Sequence, residues 1–357
     1  MMQFGIIGLP QAGKTTVFNA LTGRDQPTVR SSGRLDVHLA VVDVPDQRVD
    51  RLSELFKPRK TTYARVAYAD ITGLEGAAEK GEISGALLSQ LSQMDGFVHV
   101  VRCFENPMVS HPNGAIEPLR DLDSLNSEML LNDLIVVERR LERIQNELAR
   151  GRGRNDATLV TESKLMQQLQ TALSNDLPLR DLTLDSQECK IVAGFGFLSL
   201  KPMLILFNTS DGQPTPCVDY TGRHCEVVAL QGKLEMDIAQ LPVEDRSLFM
   251  QEYGIEETGL IRVINQSYCL MDIQSFFTVG EDEVHAWAVP VGASALEAAG
   301  AIHTDLQKGF IRAEVIPNEE LIALGTLNEA RKKGKLRLEG KDYIVQDGDI
   351  VHVRFNI

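Results

Sequence analysis

A chain of 357 residues with a net charge of −14 at pH 7 is long enough for two or three cored domains. Its acidity excludes a surface that embraces nucleic acid all round, so any RNA contact must be regional. The opening MMQFGIIGLP carries no basic n-region, and no window reaches the ~18 apolar residues of a bilayer span, which predicts a cytoplasmic chain without a membrane segment. Five cysteines, Cys103, Cys189, Cys217, Cys225 and Cys269, stand without C-x-x-C spacing, so neither a zinc site nor a disulfide framework is expected.

The first predicted element is a strand at Phe4–Ile7, and directly after it Gly8-Leu9-Pro10-Gln11-Ala12-Gly13-Lys14-Thr15 fits G-x-x-x-x-G-K-[ST]. In such a loop the glycines let backbone amides close on phosphate oxygens, while Lys14 reaches the β- and γ-phosphates and Thr15 coordinates Mg²⁺. A helix is predicted over Thr15–Leu21, its positive dipole end facing the anion. Strand before and helix after are the context that separates a phosphate loop from an accidental glycine-rich turn. Nucleoside triphosphate binding is therefore the first functional expectation.

Further strands are predicted at Leu39–Val44, Ala64–Ala69 and Phe97–Val101, the rhythm of a parallel sheet with covering helices. Asp70-Ile71-Thr72-Gly73 closes the third of these and supplies D-x-x-G downstream of the phosphate loop. There Asp70 would hold Mg²⁺, through water, and the Gly73 amide would sense the γ-phosphate. The next residue is Leu74, where many GTPases carry the glutamine that orients the attacking water, so no catalytic residue is assigned.

From Leu130 the apolar positions run Leu130, Leu134, Val137, Leu141, Ile144 and Leu148, a heptad seam. The run Gly151-Arg152-Gly153-Arg154-Asn155-Asp156 breaks it, and Leu165, Leu169 and Leu173 resume helical spacing. An antiparallel hairpin is expected, each arm of about twenty residues projecting roughly 30 Å. Arg139, Arg140 and Arg143 mark its polar face, with Arg150, Arg152 and Arg154 at the tip as a weak partner signal.

The sheet resumes at Met203–Phe207 and Cys225–Val228, so the helical segment is an insertion. Asn208-Thr209-Ser210-Asp211 ends the first of these strands, where Asn208 and Asp211 are placed to bond a purine edge; an Asx-rich turn is the competing reading. His99, His303 and His352 have no metal-ligand spacing and receive no chemistry. Arg331-Lys332-Lys333-Gly334-Lys335-Leu336-Arg337 is the densest basic run, open to RNA phosphates or to solvent.

Taken together, Gly8–Thr16, Asp70–Leu74 and His99-Val100-Val101-Arg102-Cys103-Phe104 resemble the Obg-like ATPase (YchF) family of P-loop proteins. The C-terminal third carries the resemblance furthest, through Phe276-Phe277-Thr278-Val279-Gly280, Ala286-Trp287, Ala298–Asp305, Gly309–Glu314 and Glu339–Asp349. It implies an α/β fold in three parts: a G-type nucleotide domain over 1–125 and 199–272, an inserted helical coiled-coil domain over 126–198, and a β-grasp-like TGS domain over 273–357. It also implies slow ATP hydrolysis with GTP as a poorer substrate, Mg²⁺ as cofactor, and association with ribosomes or RNA through the helical and TGS domains. The nucleotide-contacting set is then Gly8, Pro10, Gln11, Ala12, Gly13, Lys14, Thr15, Thr16, Gly73, Asn208 and Asp211, with Thr15 and Asp70 on the metal.

Four places depart from the family pattern. Gln11 replaces the usual asparagine, N-x-x-E is shortened to N-x-x-D at Asp211, and Gly33–His38 lacks the switch threonine. Glu79–Gly85 only loosely matches the glycine-rich loop after D-x-x-G. A scaffold that binds nucleotide and scarcely hydrolyses it, or a GTP-preferring member, is the competing expectation.

Overall fold

The computed structural model describes residues 2–26, 36–72, 85–149, 157–210, 213, 222–252, 255 and 258–356. Twelve strands are present among them: β1 (Gln3–Ile7), β2 (Asp36–Asp43), β3 (Lys60–Thr62), β4 (Arg65–Thr72), β5 (Gly96–Arg102), β6 (Met203–Asn208), β7 (Cys225–Leu230), β8 (Ile273–Val279), β9 (Glu283–Pro290), β10 (Phe310–Pro317), β11 (Arg337–Glu339) and β12 (Asp349–Phe355). They form two six-stranded sheets, ordered β2-β4-β1-β5-β6-β7 and β11-β10-β12-β8-β9-β3.

In the first sheet β1 pairs in parallel with β4 and β5, and β5, β6 and β7 continue in parallel. Every residue of β5 and of β6 is buried. A strand covered on both faces needs no polar alternation, which is why GFVHVVR and MLILFN read as nearly unbroken apolar runs. The expected strands all form, most of them longer by a residue or more at one end, and the helix after the phosphate loop runs Lys14–Thr22.

The hairpin forms as Pro118–Ala149 and Ala157–Ser174. Its first arm has 32 residues and is about 48 Å long, well beyond the expected arm, because the helix starts inside the region assigned to the nucleotide domain. Leu122, Leu125 and Met129 pack with the sheet core, and from Leu130 onward the same helix packs with its partner arm. The heptad positions Val137 and Ile144 are fully buried against Met166 and Leu169. Burial of each such side chain contributes about 1.5–3 kcal/mol. Of the polar-face arginines, Arg140 makes a bidentate bond to Glu162 on the other arm. Arg150, Arg152 and Arg154 lie outside the described residues.

The second sheet does not consist of C-terminal residues alone. Strands β10 and β12, and β8 and β9, are antiparallel pairs, β12 and β8 pair in parallel, and β3 completes the edge by pairing in parallel with β9. Chain contacts gather 41–66 with 264–357 in one compact unit and 2–40 with 67–263 in another. That division departs from the expected boundaries, which assign 41–66 to the nucleotide domain and separate 126–198 as its own. The apolar core of this sheet is Phe276, Val289, Ala295, Ala298, Ala299, Ala313, Val315, Val351 and Val353. Its covering helix Ala295–Ile302 starts at a reciprocal Ser294/Glu297 cap. Among the described residues no helix is long and apolar enough to cross a membrane.

Candidate functional site

The phosphate-loop residues form a tight connection between β1 and the helix Lys14–Thr22. Gly8 has φ +146°, and a Cβ there would stand 2.2 Å from the Val100 carbonyl oxygen; Gly13 has φ +92°, and a Cβ would meet Asn208 Nδ2 at 2.3 Å. Only glycine satisfies both the backbone angle and the close approach. Gln11 also takes a left-handed φ of +62°, a conformation in which asparagine is more at ease than glutamine.

Gly13 caps the helix without any side-chain bond to the helix amides. The first turn of the helix presents the positive end of the dipole to the loop, where an anion is favoured. Lys14 is nearly buried, and its Nζ donates to the carbonyls of Gly8 (3.1 Å) and Leu9 (2.9 Å). The ammonium is therefore held on the loop itself, where phosphate oxygens would take over from these neutral acceptors.

Thr15 Oγ1 donates to Asp70 Oδ2 at 2.8 Å, bringing together the two residues expected on the metal. Asp70 is fully buried on β4, and its Oδ1 has no hydrogen-bond partner among the described residues. Burial pushes the carboxyl up, opposed by the Thr15 bond and by the charges of Lys14 and His38. His38 on β2, to which sequence reasoning gave no role, is thus close enough to act on Asp70. An orphaned carboxylate oxygen beside a hydroxyl is a hard-oxygen donor set, and the residues fit Mg²⁺.

Asn208, expected at the base edge, bonds backbone with both its amide atoms. Its Nδ2 donates to the Ala12 carbonyl at 3.0 Å, and its Oδ1 accepts from Gly232 N at 3.1 Å, tying the loop to the start of the helix Gly232–Gln240. One amide hydrogen remains for a base. Ala12 lies 196 positions from Asn208, so strand-end spacing alone does not reveal this tether. Pro10, Ala12 and Thr16 sit in the loop and first turn as expected; Gly73, Leu74 and Asp211 lie outside the described residues.

A narrow pocket beside the loop is lined by Leu9, Pro10, Ala12, His99, Arg102, His111 and Asp121. Sequence reasoning passed over His111 and Asp121, which lie in an irregular connection and at a helix start. His111 Nε2 is 2.8 Å from Asp121 Oδ2, with both side chains nearly excluded from solvent. His99 is a core residue whose burial pulls it down to about 3, keeping it neutral. His303 caps the short helix Thr304–Lys308 by accepting from Asp305 N, and His352 is exposed on β12.

The basic run is largely matched by carboxylates of its own unit. Arg331 pairs with Glu314 (3.2 Å), Lys332 with Glu329 (2.8 Å) and Lys335 with Glu320 (3.6 Å), while Arg337 donates to the Tyr343 hydroxyl (3.0 Å). Exposed pairs of this kind add little stability, but they lessen the run's attraction for phosphate.

Comparison with known proteins agrees along the full length. Residues 3–139 match a family described as 50S ribosome-binding GTPase, and residues 273–356 match the C-terminal family of YchF GTPases, described as a protein of unknown function. The chain is 41% identical to the ribosome-binding ATPase YchF of Haemophilus influenzae and 37% identical to that of Bacillus subtilis, covering 99% of each chain in both cases. It superposes on the YchF GTPase of Schizosaccharomyces pombe with a TM-score of 0.86 at 28% identity, over 99% of this chain and 97% of that one.

Proposed function

The chain belongs to the YchF family, and on that premise we propose that it is a cytoplasmic P-loop ATPase, with GTP as a lesser substrate, whose nucleotide state governs association with ribosomes. One observation carries the nucleotide reading: a helix N-terminus without a side-chain cap bond, the Lys14 ammonium and the Thr15–Asp70 pair converge on one loop. The first-turn amides and Lys14 would bind the β- and γ-phosphates, and Thr15 with Asp70 would hold Mg²⁺. When bound, Mg²⁺ supplies charge neutralisation on the transferring phosphoryl group. Asn208 holds the loop in shape and offers its remaining N–H to the base, with Asp211 as the second base contact.

Ribosome association comes from the relatives' name, with the helical hairpin and the C-terminal TGS module as the contacting parts. Because Gly33–His38 lacks a switch threonine, a nucleotide-responsive scaffold with little turnover is the second reading. Calorimetric titration with ATP and GTP, followed by steady-state hydrolysis with and without ribosomes, separates the two. Tight ATP binding with ribosome-stimulated turnover supports the ATPase switch. Binding without turnover in either condition selects the scaffold, and failure to bind either nucleotide overturns both.

A further inference from the structure

The segment 196–201 leads from the helical hairpin region into β6, and its side chains alternate between two cores. Phe197 and Leu200 pack in the hairpin core with Leu169 and with Leu179 of the following turn, whereas Leu198 packs with Leu91, Met94 and Met129 under the first sheet. Its backbone is held from the hairpin side by Asp133, a fully buried carboxylate on the helix Pro118–Ala149. Asp133 Oδ1 accepts from Leu198 N at 2.9 Å, and Oδ2 accepts from Ser199 N at 2.7 Å and Ser199 Oγ at 2.6 Å. Arg180, also buried, donates through its backbone N to Ser199 O (3.0 Å) and through Nη1 to Ser199 O (3.3 Å) and Lys201 O (3.4 Å). A carboxylate removed from water persists only where donors offset the desolvation, so Asp133 fixes the segment to the hairpin.

On its other side the segment grips the helix Gly85–Gln93. Lys201 Nζ donates to Leu91 O (2.8 Å), Ser92 O (2.6 Å) and Met94 O, satisfying carbonyls at the helix end and meeting the negative end of its dipole. Gly196 lies against Ser92, where an added Cβ would stand 3.1 Å away. That helix is the first described element after the Asp70–Gly73 motif.

We propose that residues 196–201 form a coupling joint, through which displacement of the helix Gly85–Gln93 on nucleotide exchange reaches the helical hairpin. By thermodynamic reciprocity, a partner bound to the hairpin changes nucleotide affinity through the same joint. The inference rests on the proposed nucleotide-switch function. Its two grips differ in kind: Asp133 on the helix Pro118–Ala149 and Arg180 in the turn Leu179–Asp181 bind the joint on the hairpin side, and Lys201 binds it to the helix Gly85–Gln93.

Hydrogen exchange of the full chain, read at Leu130–Ile144 with Mg²⁺-ADP and with Mg²⁺ and a non-hydrolysable ATP analogue, tests it. In the parent the exchange rates in the two states differ by about five-fold or more. In Lys201→Met that difference falls below about two-fold, while affinity for the analogue stays within about two-fold, because Lys201 touches no phosphate-loop residue. Lys201→Arg, which keeps donors for the carbonyls, restores the response, a result that a merely structural role does not predict. Asp133→Asn weakens the opposite grip and lowers the response from the hairpin side, with thermal melting verifying that the variant is folded. A parent whose helix Gly85–Gln93 responds to nucleotide while the hairpin does not, or a Lys201→Met variant with the parent's full response, overturns the joint and leaves the switch intact. A parent that binds the analogue without change at any amide overturns the switch reading itself.

Discussion

The phosphate loop is assembled almost entirely within residues 8–16, between one strand and one helix, whereas the C-terminal sheet needs β3, more than two hundred residues upstream of β9, to complete its edge. In the first region a contiguous backbone aims the functional groups, and among the described residues of the expected site Asp70 and Asn208 are imported from elsewhere. In the second, side chains distant in sequence hold the edge: Thr62 Oγ1 and Lys60 Nζ both donate to Glu283 Oε1, at 2.6 and 2.9 Å, and Arg48 pairs with Asp347 at 2.7 Å. A site of the first kind is vulnerable to loss of single functional groups without loss of fold. A unit of the second kind depends for its edge on partners distant in sequence.

The sharpest way to break this contrast is Lys14→Ala. Loss of a charge-assisted contact to two phosphates is expected to weaken ATP binding about 100-fold or more by calorimetry, with the melting temperature of the free chain nearly unchanged. Parent-like affinity would remove the loop from the site. Next, Asp70→Asn is expected to lower ATP turnover roughly 10–100-fold and nucleotide affinity much less, since the metal acts mainly where charge develops in the transition state. Equal turnover in parent and variant would end the metal role of Asp70.

Asn208→Ala sharpens the distinction between loop tether and base reader. Losing the bonds to Ala12 and Gly232 is expected to weaken ATP and GTP binding alike, by about ten-fold, from roughly 1–2 kcal/mol of lost backbone anchoring. Competition binding that shows a shifted ATP-to-GTP ratio would make base contact the larger role of Asn208.

The smallest effect belongs to the C-terminal unit and its acid sensitivity. The Thr62 hydroxyl, and then Lys60, hold the Glu283 carboxyl down to about 2, against 4.5 for an ordinary glutamate, with His285 acting in the same direction. Glu283 therefore adds stability above pH 4.5, and that contribution is lost as the pH falls towards about 2. Trp287 is the only tryptophan and lies two residues from His285 in β9, so its fluorescence reports unfolding of this unit. Melts of Glu283→Gln between pH 5 and about 2 are expected to lack part of the parent's decline. Identical slopes would mean that the pairing is too exposed to matter.

The glycine and lysine spacing of the phosphate loop, Asp70 in the third predicted strand region and the heptad seam were legible in the chain because each is a local pattern. Backbone angles at Gly8 and Gly13 and the 3.6-residue period follow from neighbours in sequence. The strands β5 and β6 were equally legible, since burial on both faces leaves an apolar run. Other features depend on which distant groups meet. Asn208 has the composition of a base reader, and only its approach to Ala12 and Gly232 makes it an anchor. Asp133 sits beside a leucine seam as one more polar residue until Leu198 and Ser199 bring their donors to it. His111 becomes notable only through Asp121, and the basic run near Arg331 is largely matched only once Glu314, Glu320 and Glu329 fold against it. The division of the second sheet follows the same logic, because a strand of three residues such as Lys60–Thr62 has too little periodicity to declare its partner. Local geometry is set by covalent neighbours and so is written in order along the chain, while pairing of buried polar groups and closure of sheet edges are settled by desolvation and hydrogen bonding across the fold.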